Sequence, residues 1–298
     1  MRVVVGSSSF GQASALPGEL LASRGMEVVP NPFGRKLTED ETLVFLQGAD
    51  GLLAGLEPLN ARVLAAHAGK LKAIARIGIG MDNVDQEAAA RLGIAVSNTP
   101  DAPTGAVAEM TLAAVFALCR GLHTQNAALH AGTWKNVLGR SLRDLSFLIV
   151  GYGRIGKSVQ AALKPFASEI SVYDPFQPDI SVKSLPDALA VADVVTLHAS
   201  GREMIIDREN IKRMKPGAML LNCGRGGQVD EEALAEALQS GHLSGCWLDV
   251  FSDEPYSGRL CQCETALLTP HASTCTEKCR GDMEMQAVRN ILRDLHVE

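Results

Sequence analysis

Four side chains that can move protons or hold anions stand just beyond apolar, strand-like runs. Arg225 lies in "LNCGRGGQVD" (221–230) after "AMLL" (218–221), and His198 closes "DVVTLH" (193–198). Asp249 opens onto Glu254 in "LDVFSDEP" (248–255), and His271 follows Pro270 in "ALLTPH" (266–271). An arginine presents a planar fork that matches a carboxylate. A histidine exchanges protons near neutral pH, and a carboxylate can orient it. Gly224, Gly226 and Gly227 make the arginine's segment a tight turn, because glycine tolerates positive φ. A lone arginine between glycines also reads as a solvated loop charge. Arginine, carboxylate and histidine at one cofactor cleft would instead form an acid–base set.

The elements that must position them alternate. Strand-like runs occur at 2–5, 26–29, 51–54, 71–76 and 93–96, and a second series at 146–151, 170–174, 193–198, 218–223, 245–250 and 266–270, with helical stretches between. The second series is apolar throughout rather than alternating, as parallel strands covered on both faces are. The expected fold class is α/β, with two doubly wound, Rossmann-like domains of parallel sheet and an active-site cleft between them. "TGAVAEMTLAAVFALCRGL" (104–122) reads as one long connecting helix behind Pro103, and Met283, Ala287, Val288, Ile291 and Leu295 mark one face of a final helix. That helix can return to the first domain. The expected division is 1–98 plus 273–298, a substrate-binding domain, and 99–272, a dinucleotide-binding domain.

"FLIVGYGRIGKSVQAAL" carries Gly151, Gly153 and Gly156 as G-x-G-x-x-G between a strand pattern and a helix pattern, with Asp174 ending the next strand 18 residues after Gly156. Gly151 permits the turn, Gly153 lets a pyrophosphate approach the backbone, and Gly156 allows close helix–strand packing. The helix start at Arg154 and Ile155 then turns its amides to the phosphates. Asp174 is placed to accept from the ribose hydroxyls and to repel a 2′-phosphate, so the expected cofactor is NAD rather than NADP.

Composition narrows the function classes. The 298-residue chain is 46% hydrophobic and 21% charged, with net charge -6 and no basic stripe, which argues against nucleic acid or an anionic membrane surface as the partner. The short apolar run of the N-terminus is neither a signal-peptide core nor a bilayer span, and the odd count of seven cysteines suits reduced thiols, so a cytoplasmic protein is expected. Cys261, Cys263, Cys275 and Cys279 lie near His271, but their spacing does not match the common zinc patterns, and no metal is expected.

In order along nearly the whole chain, "GIGMDNVD" (78–85), "NTP" (98–100), "VAEMTL" (107–112), "GYGRIG" (151–156), "MKPGAMLLNCGRGGQVDEEAL" (214–234), "LDVFSDEP" (248–255) and "TPH" (269–271) resemble the D-isomer-specific 2-hydroxyacid dehydrogenase family. Within it, "ARIGIGMDNVD" and "NCGRGGQVDE" are most like the phosphoglycerate dehydrogenases, without their regulatory domain. The resemblance implies that Arg225 holds the substrate carboxylate and polarises its C2 oxygen, that His271 exchanges the hydroxyl proton, and that Glu254 orients His271. It also implies that backbone amides of Gly78, Ile79 and Gly80 bind the carboxylate and that Thr111, His198 and Asp249 line the nicotinamide pocket, His198 ranking second as proton carrier. Arg76 would meet either a second anionic group of the substrate or a nearby acid. The loop "GSSSFG" (6–11) reads equally as an anion site and as a plain turn. The connection at 201–207 is shorter than is usual in the family.

The expected substrate is a small 2-hydroxy or 2-keto acid, first 3-phosphoglycerate with 3-phosphohydroxypyruvate, then glyoxylate or hydroxypyruvate. An NAD-sensing scaffold similar to a transcriptional corepressor of this fold is the alternative. A homodimer built around 104–136 is expected, with Trp134 either an interface anchor or a core residue.

Overall fold

Short apolar runs separated by helices build the first sheet of the computed structural model, which describes residues 1–297. Its elements are β1 (Arg2–Val5), α1 (Leu16–Ser23), β2 (Glu27–Pro30), α2 (Glu39–Phe45), β3 (Gly51–Ala54), α3 (Ala61–Ala66), β4 (Ala73–Arg76), α4 (Gln86–Arg91) and β5 (Ala95–Ser97). All strand pairs are parallel, in the order β2-β1-β3-β4-β5. The helices start where the sequence offers acceptors to their unpaired first amides. Thr38 and Glu41 form a reciprocal capping box on α2, and Asn60 and Asp85 cap α3 and α4.

The second series continues with α5 (Pro103–Arg120), α6 (Leu122–His130), β6 (Ser146–Val150), α7 (Arg154–Leu163), β7 (Glu169–Tyr173), α8 (Leu185–Val191), β8 (Val194–Leu197), α9 (Arg208–Arg213), β9 (Ala218–Asn222), α10 (Glu231–Gln239), β10 (Leu243–Leu248) and β11 (Ala266–Leu268). These strands form a parallel sheet in the order β11-β10-β9-β8-β6-β7. The final helix α11 (Glu277–Asp294) is capped by Thr276 and buries Met283, Ala287, Val288 and Ile291. It packs on α1, β3 and β4 of the first sheet. The chain thus divides into two compact units, residues 1–103 with residues from 274 onward, and residues 104–273.

Three expectations change. The helix across 104–122 is not continuous: Gly121 takes φ 57°, and α6 leaves at 65° to α5. The division falls at 103/104 rather than 98/99, because α5 begins at Pro103 and packs with the second sheet. Trp134 is not a core residue, being 93% exposed; the tryptophan of the core is Trp247, fully buried in β10. No single helix among the described residues is long and apolar enough to cross a membrane.

At the end of the second sheet away from the glycine loop, Asp193 ties the strand starts together. It accepts from Ser146 N at 3.0 Å, Arg140 Nη2 at 2.6 Å and Lys215 Nζ at 2.9 Å. Burial pushes its carboxyl up, but the Ser146 bonds and the two cations outweigh that and hold it well below the ordinary range. Asp193→Asn is expected to cost about 2–3 kcal/mol at neutral pH, as loss of hydrogen bonds to a charged group does. Because the folded-state carboxyl is depressed, the stabilisation is full above about pH 4 and is lost as pH falls through the folded value. Urea unfolding of both proteins along a pH series checks this: the difference between them must shrink on acidification.

Candidate active site

Three adjacent strands of the second sheet, β9, β10 and β11, deliver the candidate catalytic side chains at their carboxyl ends, where ligands of open parallel sheets settle. His271 follows β11 by three residues in the left-handed region, at φ 52°. Its amide donates to Asp249 O at 2.8 Å and to Thr269 O at 3.0 Å. Its ring Nδ1 faces Glu254 Oε2 at 3.1 Å, and Glu254 Oε1 accepts from Phe251 N at 3.1 Å. A ring nitrogen against a carboxylate is the donor, so Nδ1 carries hydrogen and Nε2 is the atom left for exchange. Both side chains reach solvent, at 40% and 30% exposed.

Arg225 stands in a turn closed from two sides. Asn222, buried at the end of β9, accepts from Gly224 N at 2.9 Å and donates from Nδ2 to Arg225 O at 3.0 Å. Gln228, fully buried, accepts from Arg225 N at 3.3 Å and donates to Ala199 O at 3.0 Å and Gly201 O at 2.9 Å. Arg225 Nη1 donates to Gly224 O at 2.7 Å. A Cβ on Gly226 would stand 1.8 Å from Phe251 O, so only glycine lets the arginine turn pack against the segment that leads to Glu254. Asn222 and Gln228 were not among the expected site residues, although both lie inside the quoted "NCGRGGQVD". The short 201–207 connection is tied to the same turn, with Ile205 and Ile206 amides donating to Gln228 O, each at 2.9 Å.

Asp249 is 1% exposed and spends its oxygens on the histidine turn. Oδ1 accepts from Thr269 Oγ1 at 2.6 Å and Ala272 N at 2.7 Å, and Oδ2 from Ser273 N at 2.9 Å and Ser273 Oγ at 2.5 Å. Thr269 in turn accepts from the Trp247 indole at 2.9 Å. His198 is buried, with Nε2 against Thr196 Oγ1 at 2.9 Å and Nδ1 against Cys223 Sγ at 3.3 Å. Burial lowers it to about 3, so it stays neutral near pH 7. The Cys223 thiol is raised by burial to about 12 and lies 3.5 Å from Thr111 Oγ1, which itself donates to Val107 O at 2.8 Å.

The glycine loop after β6 fits a dinucleotide. Gly151 takes φ 89°, and a Cβ there would meet Ala199 N at 2.5 Å; one on Gly156 would meet Gly151 O at 2.2 Å. Beside Gly153, by contrast, nothing stands within 4 Å of a built Cβ, and no side chain caps α7 there. The loop is therefore tight where it packs and open where a pyrophosphate would approach, beside the first amides of α7, those of Arg154 and Ile155. Asp174 follows β7, with Oδ2 accepting from Tyr152 N at 2.7 Å and Gln177 Nε2 at 3.4 Å and Oδ1 from Phe176 N at 2.9 Å. Each carboxylate oxygen accepts more than one bond, so capacity remains for ribose hydroxyls.

In the first unit, Gly78 takes φ 140° and donates from its amide to Thr99 Oγ1 at 2.7 Å, so the expected carboxylate-binding amides reduce to those of Ile79 and Gly80. Arg76 ends β4 and donates from Nη1 to Ile77 O at 2.5 Å. The 6–11 loop is tied to α11: Arg280 Nη2 donates to Ser9 Oγ at 2.6 Å and Ser7 Oγ at 3.3 Å, and Gly11 N to the fully buried Glu284 at 2.9 Å.

The sequence model of the D-isomer specific 2-hydroxyacid dehydrogenase NAD binding domain matches residues 112–273. The chain belongs to this family. The second unit is accordingly its NAD-binding domain. D-3-phosphoglycerate dehydrogenase of Methanocaldococcus jannaschii is 36% identical over 274 residues, 86% of this chain and 52% of that protein. The chain spans about half the length of the curated relatives it matches. The crystal structure of TT0316 from Thermus thermophilus superposes with TM-score 0.89 at 36% identity, covering 99% of this chain and 97% of that one. The NAD-dependent formate dehydrogenase of Staphylococcus aureus, in complex with NAD, superposes with TM-score 0.84 at 25% identity over 98% and 95% of the two chains.

The two glycines separate packing from binding. Gly153→Ser, an acceptable helix cap with room for its side chain, is expected to leave thermal unfolding unchanged while weakening NADH binding roughly tenfold or more, about 1.4 kcal/mol. Gly156→Ala is expected to cost about 1–3 kcal/mol of stability as an overpacked site. Fluorescence titration with NADH beside a melting curve distinguishes the two.

Proposed function

We propose that this chain is an NAD-dependent oxidoreductase that interconverts a D-2-hydroxy acid and its 2-keto acid, with Arg225, His271 and Glu254 as the working set. The observation that carries the reading is the His271–Glu254 pair at 3.1 Å, standing beyond β10 and β11 while the Arg225 turn leaves the neighbouring β9. Reduction of a ketone needs a hydride at carbon and a proton at oxygen. Bound NAD supplies or accepts the hydride. Arg225 holds the carboxylate with its guanidinium fork and draws electron density onto the C2 oxygen. His271 gives the proton from Nε2 in reduction and takes it in oxidation, while Glu254 fixes the ring through Nδ1. Asp249 and Thr269 act through the histidine turn as positioning residues, and Asn222 and Gln228 do the same for Arg225. Gly151, Gly153, Gly156, Asp174 and the α7 start at Arg154 and Ile155 would hold the dinucleotide, and Thr111 and His198 would line the nicotinamide pocket.

Likeness to 3-phosphoglycerate dehydrogenases favours 3-phosphoglycerate and 3-phosphohydroxypyruvate as the substrate pair. A second reading, glyoxylate or hydroxypyruvate, is favoured by likeness to the glyoxylate reductase of Paecilomyes thermophila, with TM-score 0.83 at 25% identity. NADH oxidation against 3-phosphohydroxypyruvate, hydroxypyruvate, glyoxylate, oxaloacetate, 2-oxoglutarate and pyruvate tests the whole. At least one acid should turn over, and His271→Ala should lose about 10²–10⁴-fold in kcat with NADH binding intact. NADH binding without turnover of any acid would instead favour the NAD-sensing scaffold.

We further infer a homodimer, in a reducing compartment that suits seven free cysteines. Helix α6 buries none of its residues, and Leu122, Leu129, Trp134, Val137 and Leu138 are exposed in and after it, Leu138 completely. Exposed apolar side chains so close in the chain favour a cover, and a second copy of this chain is the partner proposed. Sedimentation of the wild type should give about twice 31.6 kDa, and Trp134→Glu with Leu138→Glu should give the single-chain mass. A wild type that sediments as one chain at micromolar concentration contradicts the dimer.

A further inference from the structure

The segment after β7 is composed to double back. In "DPFQ" (174–177) the aspartate stands first and Pro175 second, the order of a turn whose fourth amide returns to the first carbonyl. Gln177 N donates to Asp174 O at 3.1 Å, and Phe176 N to Asp174 Oδ1 at 2.9 Å. The returning limb is pinned as well, with Asp174 N donating to Ser181 Oγ at 3.0 Å and Val182 N to Val172 O at 2.8 Å. Gln177 is half-buried in this closed loop.

Its side-chain amide joins two parts of the dinucleotide site. Nε2 donates to Tyr152 O at 2.6 Å and to Asp174 Oδ2 at 3.4 Å. Tyr152 stands between Gly151 and Gly153, and its own amide donates to the same Asp174 Oδ2 at 2.7 Å. Its phenol donates to Gln160 of α7, and Lys157 Nζ lies 5.6 Å from the centre of its ring. Tyr152, Asp174 and Gln177 thus close a triangle of bonds between the loop after β6 and the loop after β7. The triangle leaves the two oxygens of the buried Asp174 unequal. Oδ2 serves the triangle, whereas Oδ1 accepts from its own turn and keeps a lone pair for a ligand.

We propose that Gln177 is a positioning residue for the adenosine ribose of the dinucleotide. It locks the Asp174 carboxylate to the glycine loop through Oδ2, so that Oδ1 stays presented to the ribose hydroxyls and meets a 2′-phosphate with a charge that does not turn aside. The proposal rests on the NAD-binding assignment above and deepens it, since the glycine pattern and Asp174 supply an acid without fixing its aim. The lock needs a donor. A side chain of the same length without one leaves Oδ2 a bond short and the carboxylate free to rotate, and a second carboxylate there faces like charge. Preference for NAD over NADP therefore depends on a neutral amide that acts through its neighbour.

Calorimetric titration with ADP-ribose and with 2′-phospho-ADP-ribose, which carry the adenosine end without the reactive ring, tests this beside unfolding curves. The wild type should bind ADP-ribose the more tightly. Gln177→Met should weaken ADP-ribose about tenfold, as loss of one hydrogen bond to a charged group does, and leave the 2′-phosphate form unweakened, so the preference narrows by about that factor. Gln177→Glu should weaken ADP-ribose more than tenfold at pH 8 and recover toward the wild type measured at pH 5. Facing carboxylates retain a shared proton to higher pH, and the protonated group donates as the amide did. Gln177→Met has no proton to gain and should show no recovery. Equal weakening of both ligands by Gln177→Met, or no change in either, overturns the proposal, and so does a Gln177→Glu protein that does not recover on acidification. A wild type that binds neither ligand overturns it together with the dinucleotide reading of the glycine loop. Neither ligand contains a 2-hydroxy acid, so turnover of the keto acids decides the dehydrogenase reading separately.

Discussion

The Asp249 carboxylate is the interaction on which the candidate site depends. It is buried, and its four acceptor bonds go to Thr269, Ala272 and Ser273, the residues that bracket His271. A residue other than glycine in the left-handed region costs on the order of 1 kcal/mol or more. Each hydrogen bond to a charged group contributes roughly 1.5–3 kcal/mol, so the carboxylate outweighs the strain that His271 carries at φ 52°. The bonds run back from Asp249 through Thr269 to the indole of Trp247, fully buried near the carboxyl end of β10. The position of the ring is thus referred to the core of the sheet rather than to a mobile loop, which is how a side chain on a surface turn keeps a fixed aim.

Much of this was legible in the sequence because parallel strands announce themselves as uninterrupted apolar runs and because glycines at fixed offsets mark loops that must bend. All eleven strand-like runs became strands, with ends moved by a residue or two. The recognised G-x-G-x-x-G proved tight at Gly151 and Gly156 and open at Gly153, the division its spacing implied. What the sequence concealed is the direction of short polar side chains. Nothing in "LDV" tells whether Asp249 faces a cofactor or the turn beneath it, and nothing in "NCGRGGQ" tells that Asn222 and Gln228 bend back onto the arginine turn. Glu57 was equally silent, since nothing in "GLEPLN" tells that its carboxylate folds back, 1% exposed, onto the Gly55 amide. The break at Gly121 was missed because helical periodicity in the apolar residues continues across it; the glycine was visible, its φ was not.

Electrostatics separates the two histidines that end strands of the second sheet. His198 has a hydroxyl and a thiol as neighbours and no carboxylate, so burial is unopposed and the ring stays neutral. His271 stands half exposed against a carboxylate. Two residues with the same side chain at equivalent places on the sheet therefore have different capacities, and the difference arises from what the adjoining strand offers. The same burial keeps the Cys223 thiol protonated two residues from Arg225, so no thiolate competes there for an anionic ligand.

The division of the chain bears on how it is made. The second unit is continuous from 104 to 273, whereas the first closes only when α11 lays Met283, Ala287, Val288 and Ile291 against β3 and β4. On the ribosome, the strands synthesised first must wait with one face of their sheet bare until residues beyond 290 emerge, by which time the later unit has all its own strands. The half of the molecule that is translated first is therefore finished last, and the interval leaves the apolar face of β3 and β4 as the surface most in need of protection by a chaperone.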